Sequence, residues 1–238
     1  MKRNSFLRYY RSEFEGFNVT YKESDLYICS ENIKCKKEAY LSLLKYRNII
    51  EKHIISYPEF QTSLKPLQIP DKDMDEIIYI MYKAGLAANV GPFSSVAGVI
   101  AEYVAMDLKK FSDEIIVENG GDIFITGKKE KIVKILSLHN RKLGLKINGD
   151  MLPVSVCSSS SMIGHSLSFG KADLVVVLSK KGAYADAFAT AICNLLKNEE
   201  DINNVIAKYE SVKEIEGCMI FLNDKIGGWG NIEVVKIS

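Results

Sequence analysis

The sequence predicts an α+β fold with mainly antiparallel mixed sheets and helices packed on their faces. Short stretches in which apolar and polar residues alternate recur along the chain between turn residues, a pattern typical of strands. Hairpin-like pairs of these stretches outnumber strand-helix-strand alternations, which favours antiparallel pairing. The 238 residues are 47% apolar, enough for a sizeable core. We expect a single domain over residues 1–238, with two intertwined subdomains as the alternative.

The first half of the chain opens with a predicted hairpin and continues with helices. Alternation on either side of Glu23-Ser24-Asp25 indicates two strands, and the apolar period then changes to that of a helix. Prolines mark two boundaries, since Pro58 lies beyond the first helix and Pro70 precedes the second. The predicted elements are a hairpin over 17–30 and helices over about 36–55, 73–87 and 94–110.

The second half is richer in strand signals, which are separated by turn residues. The GGWG segment around Trp229 is interpreted as a turn, with its ring in the core or at the rim. The predicted strands cover 114–118, 122–126, 131–138, 143–147, 151–157, 173–179, 218–222 and 232–237, with helices over 182–196 and 201–209.

Composition and charge exclude several classes of protein. Thirty-one basic and thirty acidic residues give a net charge of +1, so no overall field attracts nucleic acid or a membrane surface. The longest apolar run, 96–106, is shorter than the roughly 20 residues that a bilayer requires and contains Glu102. Five scattered cysteines fit a reducing cytoplasm. We expect a cytoplasmic protein without nucleic-acid or membrane partners, and assembly into a homo-oligomer stays open.

A carboxylate and a hydroxyl lie four residues apart on one predicted helix. Asp186 and Thr190 share a helix face and are surrounded by alanines, which leave room for a ligand or a metal ion. Such an oxygen pair suits a hard cation such as Mg²⁺, which accepts one or two carboxylates together with substrate phosphates. In the alternative interpretation, Asp186 only favours the helix start through the helix dipole, and the alanines permit close packing.

The loop after the strand predicted over 151–157 is the least ordinary polar segment. Its hydroxyls, imidazole and positive charge are the groups needed around a phosphate, and the imidazole is also a candidate base. One alternative is a nucleophilic mechanism that uses Cys157 or the serine beside the histidine, and another is a purely structural loop. The candidate binding residues here are Ser158, Ser159, His165, Ser166 and Lys171.

Small residues just before the helix predicted over 94–110 form a third candidate. Gly91, Ser94 and Ser95 precede a helix N-terminus, where free backbone N–H groups and the dipole attract anions. A turn capped by Ser94 or Ser95 accounts for the same residues without any ligand.

The turn between the strands predicted over 114–118 and 122–126 is a fourth candidate. Asn119-Gly120 is a strong hairpin signal because both residues tolerate positive φ. The turn alone does not require Gly121 or Asp122. A glycine, which has no side chain, beside an acid lets a ligand approach the backbone. The hairpin is therefore expected to present Gly121 and Asp122 as a wall of a ligand pocket.

Four segments stand out together: GPFSSVAGVIAEYV, VENGGDIFI, GHSLSFGKAD and YADAFATAICN. They resemble the signature blocks of an uncharacterised protein family within the ApbE-like superfamily, and the resemblance covers nearly the whole chain. A looser similarity links the chain to the FAD:protein FMN transferases of that superfamily. It rests on Gly120, Gly121 and Asp122 and on the magnesium block matched at Asp186 and Thr190.

The resemblance implies an ApbE-like fold in which Asp186 and Thr190 hold Mg²⁺ against a pyrophosphate and the glycine hairpin backs FAD or another flavin. It implies transfer of FMN to a hydroxyl of an acceptor protein, with AMP leaving and with His165 and Asp186 as catalytic candidates. The expected partners are a small phosphorylated ligand and an acceptor protein. Two alternatives stay open: a different small-molecule enzyme using the His165 loop, and a non-catalytic cofactor-binding or assembly protein.

Overall fold

The computed structural model of the protein describes residues 7–9, 14, 16–70, 73–135, 143–161 and 170–237. The helices in these ranges are α1 (Lys36–Ser56), α2 (Glu59–Thr62), α3 (Glu76–Ala88), α4 (Val96–Leu108), α5 (Gly182–Leu195) and α6 (Asp201–Tyr209). The strands are β1 (Leu7–Tyr9), β2 (Gly16–Tyr21), β3 (Ser24–Ser30), β4 (Ile115–Asn119), β5 (Asp122–Thr126), β6 (Lys131–Ile135), β7 (Leu143–Ile147), β8 (Val154–Ser159), β9 (Leu174–Ser179), β10 (Gly217–Leu222), β11 (Lys225–Gly230) and β12 (Glu233–Lys236).

The strands of the described ranges form two sheets. The larger has eight strands in the order β11-β10-β9-β8-β5-β4-β3-β2, and the smaller has four in the order β1-β6-β7-β12. Every neighbouring pair is antiparallel. The predicted α+β fold with mainly antiparallel sheets and helices packed on their faces is therefore confirmed.

The eight-stranded sheet is the middle of three layers. Because side chains alternate along a strand, Val175 and Val177 of β9 pack in the core on the helix side of the sheet. Val176, between them, packs in a second core with residues of the smaller sheet such as Val133 and Leu145. Both faces of the large sheet are thus covered, which is why β4, β5 and β9 are buried at every position.

Most predicted elements are present with small shifts at their ends, and three details differ. The first hairpin turns at Lys22-Glu23, where Lys22 has φ +50°, because β3 already begins at Ser24. The GGWG segment, predicted as a turn, belongs to strand β11, where Trp229 pairs with Cys218. The strand predicted over 131–138 ends at Ile135 within the described ranges, which stop there and resume at 143.

The predicted cap of the third helix is also different. Neither Ser94 nor Ser95 caps α4, because their hydroxyls donate to the carbonyls of Gly91 and Pro92 instead. A single turn of 3-10 helix over Pro92–Ser95 therefore precedes α4. The group that does cap α4 comes from α5.

Among the described residues, no single helix combines the length and the apolar character needed to cross a membrane. The segments Glu76–Ala88 and Pro92–Leu108 satisfy length and composition only as a pair, and they are bent by 107° at the break between them.

Candidate functional site

The candidate site lies where the β4–β5 hairpin meets the N-terminal ends of α4 and α5. The side-chain amide of Asn119, at the end of β4, donates to the Ala97 carbonyl at 3.1 Å. Asp186 of α5 accepts the backbone N–H groups of Ala97 and Gly98 at 3.1 and 2.9 Å, both through Oδ2. These contacts bring three segments that are distant in sequence to one point.

Helices α4 and α5 cap each other. Asp186 satisfies two free N–H groups at the start of α4, and Glu102 of α4 accepts the N–H of Gly182, the first residue of α5, at 2.7 Å. Carboxylates in these positions also interact favourably with the positive ends of the two helix dipoles. The structural role anticipated for Asp186 is therefore real, but it is exerted on α4 and not on its own helix.

Two glycines allow this close crossing of the helices. A Cβ atom on Gly98 would collide with the Gly182 carbonyl oxygen and would lie 2.9 Å from the Asp186 Cβ and 3.0 Å from the Cys157 Sγ. A Cβ atom on Gly182 would likewise collide with the Gly98 carbonyl. The position of Asp186 against the α4 N-terminus thus depends on the absence of side chains at Gly98 and Gly182.

Asp122 enters the site from the sheet. It is the first residue of β5, directly after the turn in which Gly120 has φ +74°. Its Oδ1 accepts the N–H of Ser158 at 3.1 Å, while the Ser158 hydroxyl donates to the Gly121 carbonyl at 3.1 Å. No atom of the described residues lies within 4 Å of the point where a Cβ of Gly120 would be. The hairpin is therefore fixed on the β8 side and open at Gly120.

The electrostatics of the site are dominated by two buried carboxylates. Asp122 is 6% exposed and Asp186 is 8% exposed. Burial is the main cause that raises the pKa of both, against the opposing effect of their N–H donors. The negative charge of Asp122 raises the pKa of Asp186 further, well above its ordinary value. Two neighbouring acids in a low-dielectric environment thus each disfavour ionisation of the other.

Cys157 is fully buried beside these acids, where its thiol donates to the Gly182 carbonyl at 3.9 Å and lies 3.3 Å from the Ser155 hydroxyl. Burial first, and then the charges of Asp122 and Asp186, raise the pKa of Cys157 well above its ordinary value. Because the thiolate is the reactive form of cysteine, this environment argues against the nucleophilic role considered for Cys157.

The donor set can be tested against the metal that the sequence suggested. The described residues contain no group of three His, Cys, Asp or Glu side chains that could hold a metal ion, as structural zinc requires. Mg²⁺ needs less from the protein, since it keeps waters and is held by one or two carboxylates together with substrate phosphates. Both hydrogen bonds to Asp186 use Oδ2, and buried Thr190 lies one helical turn further along α5. The oxygens present therefore fit Mg²⁺.

A buried hydroxyl without a partner lies on the same face of the sheet. Ser159 is two residues beyond Cys157 on β8, so their side chains point to the same side. The Ser159 hydroxyl oxygen is buried and has no hydrogen-bond partner in the described part of the chain, although buried polar groups are normally paired. A polar atom of a bound ligand would provide the missing hydrogen-bond partner of this hydroxyl.

Other predicted residues are not brought into this cluster. The backbone N–H of Lys171 donates to the Leu196 carbonyl, beyond the C-terminal end of α5, while Asp186 is near its N-terminal end. Ten residues of helix separate these ends by about 15 Å. Gly91 packs against the Ser63 carbonyl, which leaves no space beside it. His165 and Ser166 lie outside the described residues.

The sequence pointed to the helix end that completes the site but not to the group that binds it. Free N–H groups at the start of this helix are predicted to attract an anion, and the small residues after Val96 indicate close packing there. The anion that the Ala97 and Gly98 N–H groups bind is the Asp186 carboxylate of the protein itself. Cys157 was considered as a nucleophile and not as a neighbour of the two acids. Their meeting depends on the β5–β8 pairing, which joins strands about thirty residues apart.

Comparisons with known proteins agree with this fold. A model of the family described as "AbpE bacteria" matches residues 8–213. A UPF0280 protein of Methanocaldococcus jannaschii is 39% identical over 227 residues, which cover 92% of each chain. A UPF0280 protein of Archaeoglobus fulgidus is 35% identical over 224 residues, which cover 91% of this chain and 92% of the relative.

Solved structures of transferases share the fold at low sequence identity. The flavin transferase ApbE from Vibrio cholerae superposes with a TM-score of 0.51 at 12% identity, covering 92% of this chain and 97% of its own. The flavinyl transferase ApbE of Pseudomonas stutzeri, in its apo form, gives a TM-score of 0.56 at 12% identity, with coverage of 92% and 95%. At this identity the likeness establishes the fold alone.

Proposed function

The chain belongs to the AbpE bacteria family, and on that premise we propose that it binds a flavin or a related phosphorylated ligand with Mg²⁺. The proposed activity is transfer of a phosphoryl-linked flavin group to an acceptor hydroxyl. The observation that carries this proposal is the burial of Asp122 and Asp186 side by side without a protein cation among the described residues. A divalent cation is the partner that offsets two such charges.

The residues of the chain have distinct roles in this proposal. Asp186, through the oxygen not used for capping α4, and the Thr190 hydroxyl would hold Mg²⁺, with Asp122 nearby. The open backbone at Gly120 would face the ligand, with Gly121 beside it held by the Ser158 hydroxyl. The Ser159 hydroxyl, which has no partner among the described residues, would bind a polar atom of the ligand. When bound, Mg²⁺ would offset the negative charge of a pyrophosphate.

The balanced reaction with FAD is a substitution at the phosphorus of the FMN half. The acceptor hydroxyl oxygen forms a bond to this phosphorus, and the phosphoanhydride bond to the AMP half breaks. AMP leaves with the bridging oxygen, and the hydroxyl proton passes to a base, for which His165 is our candidate. The Ala97 and Gly98 N–H groups already bind Asp186. They are therefore assigned to positioning this carboxylate and not to binding phosphate.

The first experiment measures thermal unfolding with FAD, FMN, ADP and AMP, each with and without Mg²⁺. A ligand that binds only the native state raises its stability, by about 2.7 kcal/mol at 100 times its dissociation constant. We expect the largest rise for FAD with Mg²⁺. The absence of any Mg²⁺-dependent rise with a flavin would contradict the proposal.

Two variants assign the effect to the site. Asp186→Asn keeps an oxygen that can cap α4 but removes the charge, so it should fold and lose the Mg²⁺-dependent rise. Asp224→Asn removes an exposed acid in the turn between β10 and β11 and serves as the matched control. If Asp186→Asn retained the full rise, the metal role of Asp186 would be wrong.

A further inference from the structure

A second concave surface lies apart from the candidate site, between strand β2 and the N-terminal end of α1. Its volume is about 620 Å³. We name it the β2 groove, and it is lined by Asn18, Val19, Thr20, Lys34, Lys36, Lys37 and Tyr40. All of these side chains are exposed except that of Val19, which belongs to the core.

One wall of the β2 groove is the edge of the large sheet. Strand β2 is the last strand in the order of the eight-stranded sheet and pairs only with β3 among the described strands. An edge strand presents a row of backbone N–H and C=O groups that can pair with another extended segment. The three residues of β2 that line the groove therefore offer main-chain hydrogen bonds.

The opposite wall carries positive charge. Lys34, Lys36 and Lys37 line the β2 groove, and no acidic residue among the described ones does. None of the three makes an ion pair with a described residue, unlike Lys22, which pairs with Glu51 at 2.6 Å. Since the net charge of the whole chain is only +1, this is a local concentration of unbalanced charge.

We propose that the β2 groove is a docking site for an extended acidic segment of a partner protein. The segment pairs its backbone with the edge of β2 and places its carboxylates against Lys34, Lys36 and Lys37. Main-chain pairing gives affinity in this mode of recognition, and the side-chain surroundings give specificity.

Two other interpretations fit the β2 groove less well than a docking site does. One is a small-molecule site, and the other is an edge strand that lysines protect from aggregation. A small-molecule site usually encloses most of its ligand and is largely apolar, whereas nearly every side chain here is exposed. Lysines can also protect an edge strand from aggregation, but those guards are usually on the strand itself. The sequence of β2, GFNVTY, contains no lysine.

The register of the sheet relates the groove to the candidate site. Val19 pairs with Leu26, Leu26 with Asn119, and Asn119 with Asp122. Three strand spacings amount to about 14 Å, and a segment paired with the outer edge of β2 lies one spacing further away, about 19 Å from Asp122. About six extended residues span this distance. A docked segment could therefore present a hydroxyl at the candidate site. This connection rests on the proposed function, but the docking itself does not.

The test measures binding of a fluorescein-labelled peptide of about ten residues, alternating threonine and glutamate, by fluorescence anisotropy. Such a sequence favours an extended strand with its carboxylates on one face. We expect saturable binding that Lys36→Glu combined with Lys37→Glu weakens about tenfold or more, as loss of charge complementarity requires. The matched control combines Lys83→Glu with Lys213→Glu, two exposed lysines outside the groove, and should change binding less than about twofold.

A second peptide, N-methylated at every backbone amide, separates strand pairing from charge attraction. It keeps the carboxylates but removes the backbone donors, so it should bind about tenfold more weakly or worse. Equal binding of both peptides, absence of binding, or equal weakening by the two lysine pairs would overturn the proposal. Displacement of the peptide by equimolar inorganic tripolyphosphate would also overturn it, by identifying a small-anion site. Because no flavin or Mg²⁺ is present, these results are independent of the thermal-unfolding test of the proposed function.

Discussion

The hairpin formed by β4 and β5 has a buried carboxylate at each end, and the two differ in how their charge is balanced. Glu114, just before β4, lies 2.7 Å from the Lys131 ammonium and accepts the backbone N–H of Lys128 at 2.7 Å. Asp122, at the turn end, has Asp186 as its charged neighbour and forms no ion pair with a described residue. The hairpin thus joins a neutralised acid to an unneutralised one.

The pKa values express the same contrast. Burial favours the protonated form of both acids, but Lys131 and the nearby N–H groups hold the pKa of Glu114 below its ordinary value. At Asp122 burial prevails and the pKa is raised. Lys131 and the nearby N–H groups outweigh burial at Glu114, whereas no cation among the described residues opposes burial at Asp122. The Glu114 end carries its own cation, whereas the Asp122 end has no ion-pair partner among the described residues.

The Glu114 end should be the more sensitive to loss of its partner. Lys131→Met leaves Glu114 buried without a cation, and we expect a loss of about 3–5 kcal/mol in the free energy of unfolding. Urea denaturation measures it. Lys146→Met is the control, because Lys146 pairs with Glu130 and Glu233 on the surface and should cost about 0–1 kcal/mol. Equal costs would show that the Glu114 pair is no more than a surface ion pair.

The Asp122 end should depend instead on close packing. Gly98→Ala introduces a Cβ atom against the Gly182 backbone and Asp186, and overpacking of this kind costs about 1–3 kcal/mol. Gly121→Ala is the control, because its Cβ atom would meet only the rotatable Ser158 hydroxyl, at 2.8 Å. The Gly121 change should cost under about 1 kcal/mol. If Gly98→Ala cost no more than the control, α4 and α5 could separate without loss.

Neutralising Asp122 should change the free energy of unfolding in the opposite direction from Lys131→Met. Asp122→Asn removes one of two like charges from a buried place while keeping an oxygen for the Ser158 N–H. We expect the ligand-free protein to gain about 1 kcal/mol in its free energy of unfolding. The Mg²⁺-dependent rise in thermal stability with FAD should shrink in the same variant. A loss of several kcal/mol would instead make Asp122 a structural acid like Glu114.

The sequence predicted the strands and the turn of the hairpin better than the interactions of the acids at its two ends. Asn119-Gly120 and the β-branched residues on either side specified both strands, because turn and strand signals are local. The Asp186–Thr190 spacing likewise specified one helix face. The ion pair between Glu114 and Lys131 left no pattern, since it joins the residue before β4 to a strand of the other sheet, β6.

The candidate site was only partly predictable for the same reason. Asp122, Asp186 and the glycine hairpin were named from local patterns, and the structure brings them together. The caps of α4 and α5 come from each other's side chains, across about eighty or more residues of sequence. Ser94 and Ser95 looked like local caps, but a long-range carboxylate replaced them. Interactions of this kind depend on the packed fold and not on spacing along the chain.

The smallest expected effect is the pH dependence of the Glu114 end. Because its folded pKa is lowered, Glu114 contributes stability that is fully present above its unfolded value of about 4.5 and is lost as the pH falls towards the folded pKa. The difference in free energy of unfolding between the wild type and Glu114→Gln should therefore shrink as the pH falls from roughly 6 to 3.5. Glu233→Gln, which removes an exposed carboxylate, gives the background slope. A difference that stayed constant would mean that Glu114 is already protonated in the native state, and the contrast between the two ends of the hairpin would then be one of hydrogen bonding and not of charge.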